Sequence, residues 1–191
     1  MERDQTDAEL LAGSAQDPGL FGELYERHGL AVRRYVVRRV GIYDAEDLAA
    51  EVFTRAFRAR AGYRAQYPSA LPWLLGVANH VIADHRRVER RRLAALERLT
   101  AGDHEWVESR SAGLALEVVR ALRSLPSADR DTLLLVVWGE LTQEEAAIAL
   151  GVPVGTVSSR ITRARKRLAV DLAPLRRVAP AELQLKGQGN V

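Results

Sequence analysis

Apolar residues recur at helical spacing along most of this chain, and strand-like alternation is almost absent. The short apolar runs Val36–Val37 and Leu133–Val137 each lie inside a longer helical pattern. The periodicity predicts a helix over Pro18–Arg39, with Asp17 as its N-cap and Gly41 ending it. A second helix begins at Asp44 and turns Leu48, Val52, Ala56 and Phe53 inward. Gly62 and Pro68 break the pattern across Ala61–Leu71, which predicts a loop. A third helix runs from near Ser69 to Arg92. Residues 93–113 mix Gly, Ser, Asp and Glu with weak periodicity and predict a linker with some helical content. Helices follow over Ser111–Ser124 and Ser127–Gly139, then a helix pair over 141–168, and the tail after Pro174 predicts disorder. The expected fold is therefore all-α. Two small helical domains, 18–92 and 114–172, are joined by a flexible linker, after an N-terminal segment 1–17 and before a tail 173–191.

The helix pair carries the densest local signal. Thr142 and Glu145 form the Thr-x-x-Glu capping box, which satisfies free N–H groups at a helix start. That helix turns Ala146, Ala147 and Leu150 inward and stops at Gly151, the residue that best tolerates a left-handed end. Pro153 suits the first turn of the next helix, where no N–H is needed. At about 100° per residue, Val157, Ile161, Ala164 and Leu168 share one narrow face. Ser159 and Lys166 lie opposite, flanked by Thr162 and Arg163, while Ser158 with Arg165 and Arg160 with Arg167 occupy the two sides. Residues 154–170 hold basic side chains and no acidic one, whereas a merely solvated helix usually mixes both signs. Small hydroxyls can approach base edges while arginines grip phosphate or guanine. A short-turn helix pair with such a second helix predicts a helix-turn-helix that enters the major groove of DNA.

Three features of the N-terminal half add chemistry. Asp44, Glu46, Asp47 and Glu51 cluster at one helix start; the dipole accounts for the first two, and Glu51 with Arg55 makes an i,i+4 pair. Tyr63, Tyr67 and Trp73 surround the irregular loop. Aromatics are often core, yet beside arginines they can form a stacking platform for unpaired bases. On the third helix the apolar face is Leu74, Val77, Ala78 and Val81. The opposite face carries Asn79, His80, Ala83, Arg87 and Arg90 and ends in Arg86-Arg87-Val88-Glu89-Arg90-Arg91-Arg92. A basic, polar-faced helix beside an aromatic loop suits nucleic acid, and Asn79 is bidentate enough to read a base edge.

Composition narrows the classes. A hydrophobic fraction of 47% and a charged fraction of 28% fit a globular, soluble chain. The formal net charge is only +3, which excludes a wholesale polycation and makes charge placement decisive. Of 28 basic residues only Lys166 and Lys186 are lysine. Arginine favours bidentate contacts with phosphate, and a GC-rich coding sequence explains the same bias equally well. There is no cysteine, hence no disulfide or thiolate metal site, as expected of a cytoplasmic protein. The start, MERDQTDAEL, is charged and lacks an apolar signal region, and no apolar run approaches the ~20 residues that cross a bilayer.

Taken together these residues resemble the extracytoplasmic-function group of bacterial RNA polymerase sigma factors. The resemblance rests on Phe21-Gly-Glu-Leu-Tyr-Glu-Arg-His, Asp44–Phe57, Pro72-Trp-Leu-Leu-Gly-Val-Ala-Asn-His-Val-Ile-Ala-Asp-His-Arg-Arg, Leu122-Arg-Ser-Leu-Pro and Leu141–Leu168, in the family's order across most of residues 18–170. It implies that the N-terminal domain (region 2) binds the clamp helices of polymerase β′ through Asp44, Asp47, Glu51, Phe53 and Arg55. The same domain would hold the −10 element as a single strand, turning one base into a pocket near Tyr63, Trp73 and Asn79. Arg64, Tyr67 and His80 would lie beside the strand, and Arg86, Arg87, Arg90 and Arg91 would follow its backbone. The C-terminal domain (region 4), held at the β flap, would read the −35 element through Thr156, Ser158, Ser159, Thr162 and Arg163, supported by Arg160, Arg165, Lys166 and Arg167. Many relatives carry Lys or Arg where this chain has Ser158, so no particular −35 sequence transfers. The resemblance also implies an anti-sigma partner, and neither a cofactor nor a small-molecule substrate.

Rival classes fit less well. His28, His80, His85 and His104 lack metal-ligand spacing, and the nucleophile and phosphate-loop motifs of enzymes are missing. A response regulator would need a βαβ phosphoacceptor domain, and a protein that only sequesters partners leaves the basic helix unexplained. A stand-alone helix-turn-helix regulator that binds duplex DNA without polymerase remains the alternative.

Overall fold

The computed structural model describes residues 5–65, 68–99 and 113–173. Among them the chain forms α1 (Asp7–Gly13), α2 (Leu20–Val40), α3 (Ala45–Ala59), a 3₁₀ turn (Arg60–Gly62), α4 (Leu71–Leu99), α5 (Gly113–Ser124), α6 (Ser127–Val137), α7 (Gln143–Leu150) and α8 (Val154–Asp171), with no strand. Tyr67, residues 100–112 of the expected linker and the tail from 174 lie outside the described residues. The contacts divide the chain into two discontinuous units, Met1–Gly102 with Leu134–Val157 and Asp103–Leu133 with Ser158–Val191. No helix among the described residues is long and apolar enough to cross a membrane.

Local chemistry sets most helix ends. Thr142 accepts from the Glu145 N–H at 3.2 Å while the Glu145 carboxylate accepts from the Thr142 N–H at 2.8 Å, and Gly151 closes α7 with φ 62°. Asp17 Oδ1 accepts from the Gly19 N–H and shapes the approach to α2, which ends at Gly41 with φ 92°. The expected N-terminal segment contains a helix as well. Thr6 and Glu9 build a second capping box, and α1 buries Asp7, Leu10 and Leu11. The α4 helix runs seven residues past Arg92, through Leu93-Ala-Ala-Leu-Glu-Arg-Leu99, because that segment is made of strong helix formers.

In the first unit α2, α3 and α4 pack together, α1 lies on α2, and α7 packs on α4. Leu10, Leu24, Val32, Val36, Val52, Leu74, Leu75 and Ile82 are fully buried. Phe21 meets Phe57 and Phe53 edge to face, and Tyr25 does the same with Phe53. At the α4–α7 contact a Cβ on Gly76 would collide with the Ala149 carbonyl oxygen, so the close approach requires glycine. In the second unit Ser124 of α5 donates to Asp171 of α8 at 2.7 Å.

One buried carboxylate fastens α1. Asp7, 5% exposed, accepts from Arg27 Nη1 at 3.2 Å and from the Ala70 backbone N–H at 2.7 Å, and lies 2.6 Å from His28 Nε2. Burial alone pushes this carboxyl up, but the Ala70 N–H, His28 and Arg27 outweigh it and hold it below the ordinary carboxylate range. A depressed folded value stabilises the fold above the unfolded value and loses that contribution as pH falls through the folded one. Asp7→Asn is expected to cost about 2 kcal/mol near neutral pH, the worth of hydrogen bonds to a charged group. Thermal melts of the two proteins should converge only below about pH 4; an equal gap at all pH values would show that the carboxylate charge is irrelevant.

Candidate nucleic-acid interface

Helix α8 carries the clearest polar surface. Val157, Ile161 and Ala164 are buried and Leu168 is half-buried, leaving Ser158, Ser159, Thr162, Arg163, Arg165, Lys166 and Arg167 exposed and Thr156 and Arg160 half-buried. The helical spacing of those four apolar residues dictates this division. Thr162 Oγ1 donates to the Ser158 carbonyl oxygen at 2.9 Å, a local bond that leaves the Ser158 side chain on the exposed face. Arg163 is engaged within its own unit. Its guanidinium grips Asp129 of α6 bidentately, Nη2 to Oδ1 at 2.8 Å and Nε to Oδ2 at 3.1 Å. Asp129 is 8% exposed and Arg163 58%, and the carboxylate raises the guanidinium above its ordinary value.

A second surface gathers at the start of α4. Tyr63 and Trp73 meet at 5.2 Å with an interplanar angle of 60°. They line an open pocket with Gly62, Arg64, Ser69 and Pro72, and Ile148 of α7 closes one side. Burial, followed by the Asp7 charge, pushes the Tyr63 phenol up, so it stays a neutral donor at any physiological pH. Arg64 is exposed beside it. Further along α4, His80, Arg87, Arg90 and Arg91 are exposed, with His80 Nδ1 2.9 Å from the Gly76 carbonyl oxygen and Arg87 3.5 Å from Asp84. Arg86 is half-buried and donates to the Arg39 carbonyl oxygen at 2.8 Å, satisfying the C-terminal end of α2.

Two expected site residues lie elsewhere. Asn79 is buried, its carbonyl oxygen accepting from the Tyr35 hydroxyl at 2.7 Å and from Arg39 Nη1 at 2.9 Å, so it packs in the core rather than on the exposed face of α4. The single-stripe reading of α4 fails here because α2, α3 and α7 all pack on this helix. Phe53, expected at a polymerase contact, is likewise a core ring between Phe21 and Tyr25. The remaining acidic residues of α3 stay accessible: Asp44 and Asp47 are exposed and Glu51 is half-buried. Arg55 is clamped between Glu51 at 2.7 Å and Asp84 at 2.7 Å. Asp84 first and Glu51 second raise its guanidinium, and Arg55 in turn holds Asp84 below the carboxylate range.

Periodicity does not predict two further features. Ile42 and Tyr43, at the turn before α3, are 67% and 96% exposed beside the acidic helix start. Two large apolar residues in a turn where polar chemistry is the rule were the available signal. The Asp7 hub was signalled by the Thr6-x-x-Glu9 box.

Comparison with known proteins agrees with this geometry. The family model described as Sigma-70 region 2 matches residues 24–92, and that of Sigma-70, region 4 matches 115–168. The ECF RNA polymerase sigma factor SigC of Mycobacterium tuberculosis (strain CDC 1551 / Oshkosh) is 37% identical over 148 residues, covering 75% of this chain and 78% of its own. SigD of Mycobacterium tuberculosis (strain ATCC 25618 / H37Rv) is 32% identical over 183 residues, covering 88% and 84%. The solved structure of CnrH in complex with the cytosolic domain of CnrY aligns with a TM-score of 0.61 at 27% identity, over 89% of this chain and 99% of that one. The sigma factor RpoE of Bartonella quintana, solved with the anti-sigma factor NepR, shares the fold at a TM-score of 0.55 and 21% identity, over 84% and 98%. With both region models matched in order and relatives above 30% identity along most of its length, this chain belongs to the ECF group of RNA polymerase sigma factors, which bind core polymerase and direct promoter-specific transcription initiation.

Proposed function

We propose a division of this activity between named surfaces. Residues 18–92 dock on the β′ clamp helices through the accessible carboxylates Asp44, Asp47 and Glu51, with Arg55 orienting Glu51. The same residues hold the −10 element as a single strand, one base entering the Tyr63–Trp73 pocket while Arg64, His80, Arg87, Arg90 and Arg91 meet the backbone. Residues 114–172 read the −35 element in the major groove through Ser158, Ser159 and Thr162, with Arg163, Arg165, Lys166 and Arg167 on phosphate or guanine. Residues 93–113 join the two readers. The chain performs no catalysis of its own and works in the cytoplasm, where polymerase is. An anti-sigma factor restrains it, on the pattern of RpoE with the anti-sigma factor NepR.

The observation that carries this reading is an exposed α8 face bearing Arg163, Arg165, Lys166 and Arg167 beside Ser158, Ser159 and Thr162, on the same chain as an aromatic pocket lined by the exposed Arg64. A stand-alone duplex-binding regulator has no use for the pocket. Runoff transcription with core polymerase across a genomic promoter library should yield products that depend on this chain. Equally tight promoter binding with and without polymerase would instead support the stand-alone regulator.

Trp73→Ala is expected to lower open-complex formation about tenfold, the worth of one stacked base, with polymerase affinity unchanged. Unchanged opening would remove the pocket from the −10 assignment. For α8, Arg163→Ala should weaken −35-dependent promoter use and lower the melting temperature, since it strands the Asp129 carboxylate. Asp129→Asn separates the two effects. If Arg163 contacts DNA, releasing it from Asp129 leaves promoter use intact or raises it; a loss matching that of Arg163→Ala would assign Arg163 to positioning alone.

A further inference from the structure

The short helix α1 touches both ends of the α3–α4 connection that forms the aromatic pocket. At one end the buried Asp7 carboxylate accepts from the Ala70 N–H at 2.7 Å. Ala70 is fully buried, and its carbonyl oxygen accepts from the Leu74 N–H, so it is the residue on which α4 starts. At the other end the Ser14 carbonyl oxygen accepts from Arg60 Nε at 3.4 Å. Arg60 opens the 3₁₀ turn, donates to the Phe57 carbonyl oxygen at 2.6 Å and lies 3.7 Å over the Phe57 ring. Ser14 is itself fully buried, its hydroxyl donating to the Leu11 carbonyl oxygen at 2.7 Å. A seven-residue helix is a rigid strap of about 10 Å. The connection it braces holds about ten residues and would otherwise span some 30 Å.

We infer that α1 is a positioning element for the base pocket, and that Asp7, through the Ala70 N–H, sets the distance between Tyr63 on the connection and Trp73 on the first turn of α4. This inference rests on the pocket being the site that captures an unpaired base. Three features of the geometry support it. Asp7 spends its carboxylate on three partners, two of which, Arg27 and His28, lie on α2 in the core bundle, so the third is anchored to a fixed frame. The Asp7 charge reaches Tyr63 and helps keep its phenol neutral. The Tyr63–Trp73 ring pair spans the braced connection, so a shift of Ala70 changes the opening between the rings directly. Stacking falls away when rings separate by more than contact distance, so a small displacement suffices to lose a base.

The test uses the full chain bound to core polymerase and a fluorescent single strand carrying the −10 non-template sequence of a promoter that the chain transcribes. A companion set of strands each has one abasic nucleotide, and the position where abasic substitution weakens wild-type binding marks the captured base. Asp7→Asn should bind the intact strand about tenfold more weakly, with no further loss on the strand abasic at that position. Asp7→Glu keeps the charge between Arg27 and His28 but displaces the carboxylate by one methylene, and should show the same loss of preference. Arg27→Gln loosens α1 while leaving the Ala70 contact, and should retain the preference at a comparable fall in melting temperature. Full retention of the preference by both Asp7 variants, or its equal loss in Arg27→Gln, would overturn the inference while leaving the pocket intact. If Trp73→Ala also retains the preference, the pocket reading itself falls.

Discussion

The setting of α4 governs everything the N-terminal half presents. This helix is packed by α2, α3 and α7 at once, so Leu74, Leu75, Ala78, Val81 and Ile82 are all buried, a wider apolar arc than one stripe. A polar residue caught inside such an arc must find hydrogen bonds or carry a desolvation cost of kcal/mol size. The Asn79 carbonyl oxygen finds them in a triangle with Tyr35 and Arg39, where Arg39 Nη1 donates to both oxygens and the Tyr35 hydroxyl donates to Asn79, while the buried Asn79 Nδ2 has no partner among the described residues. The triangle ties α4 to the last turns of α2 and fixes the rotation of α4 about its axis. Arg86, about two turns further on, seals the same α2 end. With the rotation fixed, His80, Arg87, Arg90 and Arg91 have no choice but the outer side.

Charge placement decides which cations are available to a ligand. The formal net charge of +3 hides a chain in which many arginines are already committed. Arg55 serves Glu51 and Asp84, Arg86 serves a helix end, and Arg163 serves Asp129. The carboxylates paired with Arg55 and Arg163 lower the positive field that a phosphate backbone would meet. Arg165, Lys166 and Arg167 of α8 and Arg90 and Arg91 of α4 are among the exposed cations. Charge placement, rather than total charge, therefore sets what a nearly balanced composition presents to a phosphate backbone.

How much was legible from the sequence follows from which interactions are local. Capping boxes, the left-handed Gly151 and the apolar spacing of α8 are encoded within a turn or two of chain, and the structure places α7 and α8 where that spacing puts them. The same Thr-x-x-Glu signature stands at Thr6, but a seven-residue helix is too short to show a period beside it. The burial of Asn79 escapes the pattern for a different reason. A helical wheel assigns one buried face, and only the tertiary packing of several helices shows that α4 buries more, whereas the burial of Phe53 follows from the α3 pattern itself. The extension of α4 to Leu99 is masked by the weak periodicity of 93–113, where Gly and Ser enter only from residue 102 onward. Aromatic clustering around the α3–α4 connection was visible in the sequence; the bracing of that connection by Asp7 was not, since it joins positions 63 residues apart.

The proposed division of labour explains why neither surface needs to be strong. A reader that relies on a handful of phosphate contacts loses affinity steeply with salt and slides along any duplex. Two such readers on one chain gain selectivity only when something fixes their spacing, because effective concentration depends on geometry more than on contact strength. Polymerase supplies that fixed frame, and the carboxylates of α3 face outward to meet it in the proposed assignment. Internal pairing of Arg55, Arg86 and Arg163 then has a consequence for specificity. Each committed cation weakens the binding of free chain to random DNA, while the frame set by polymerase restores affinity only where both elements stand at the correct separation.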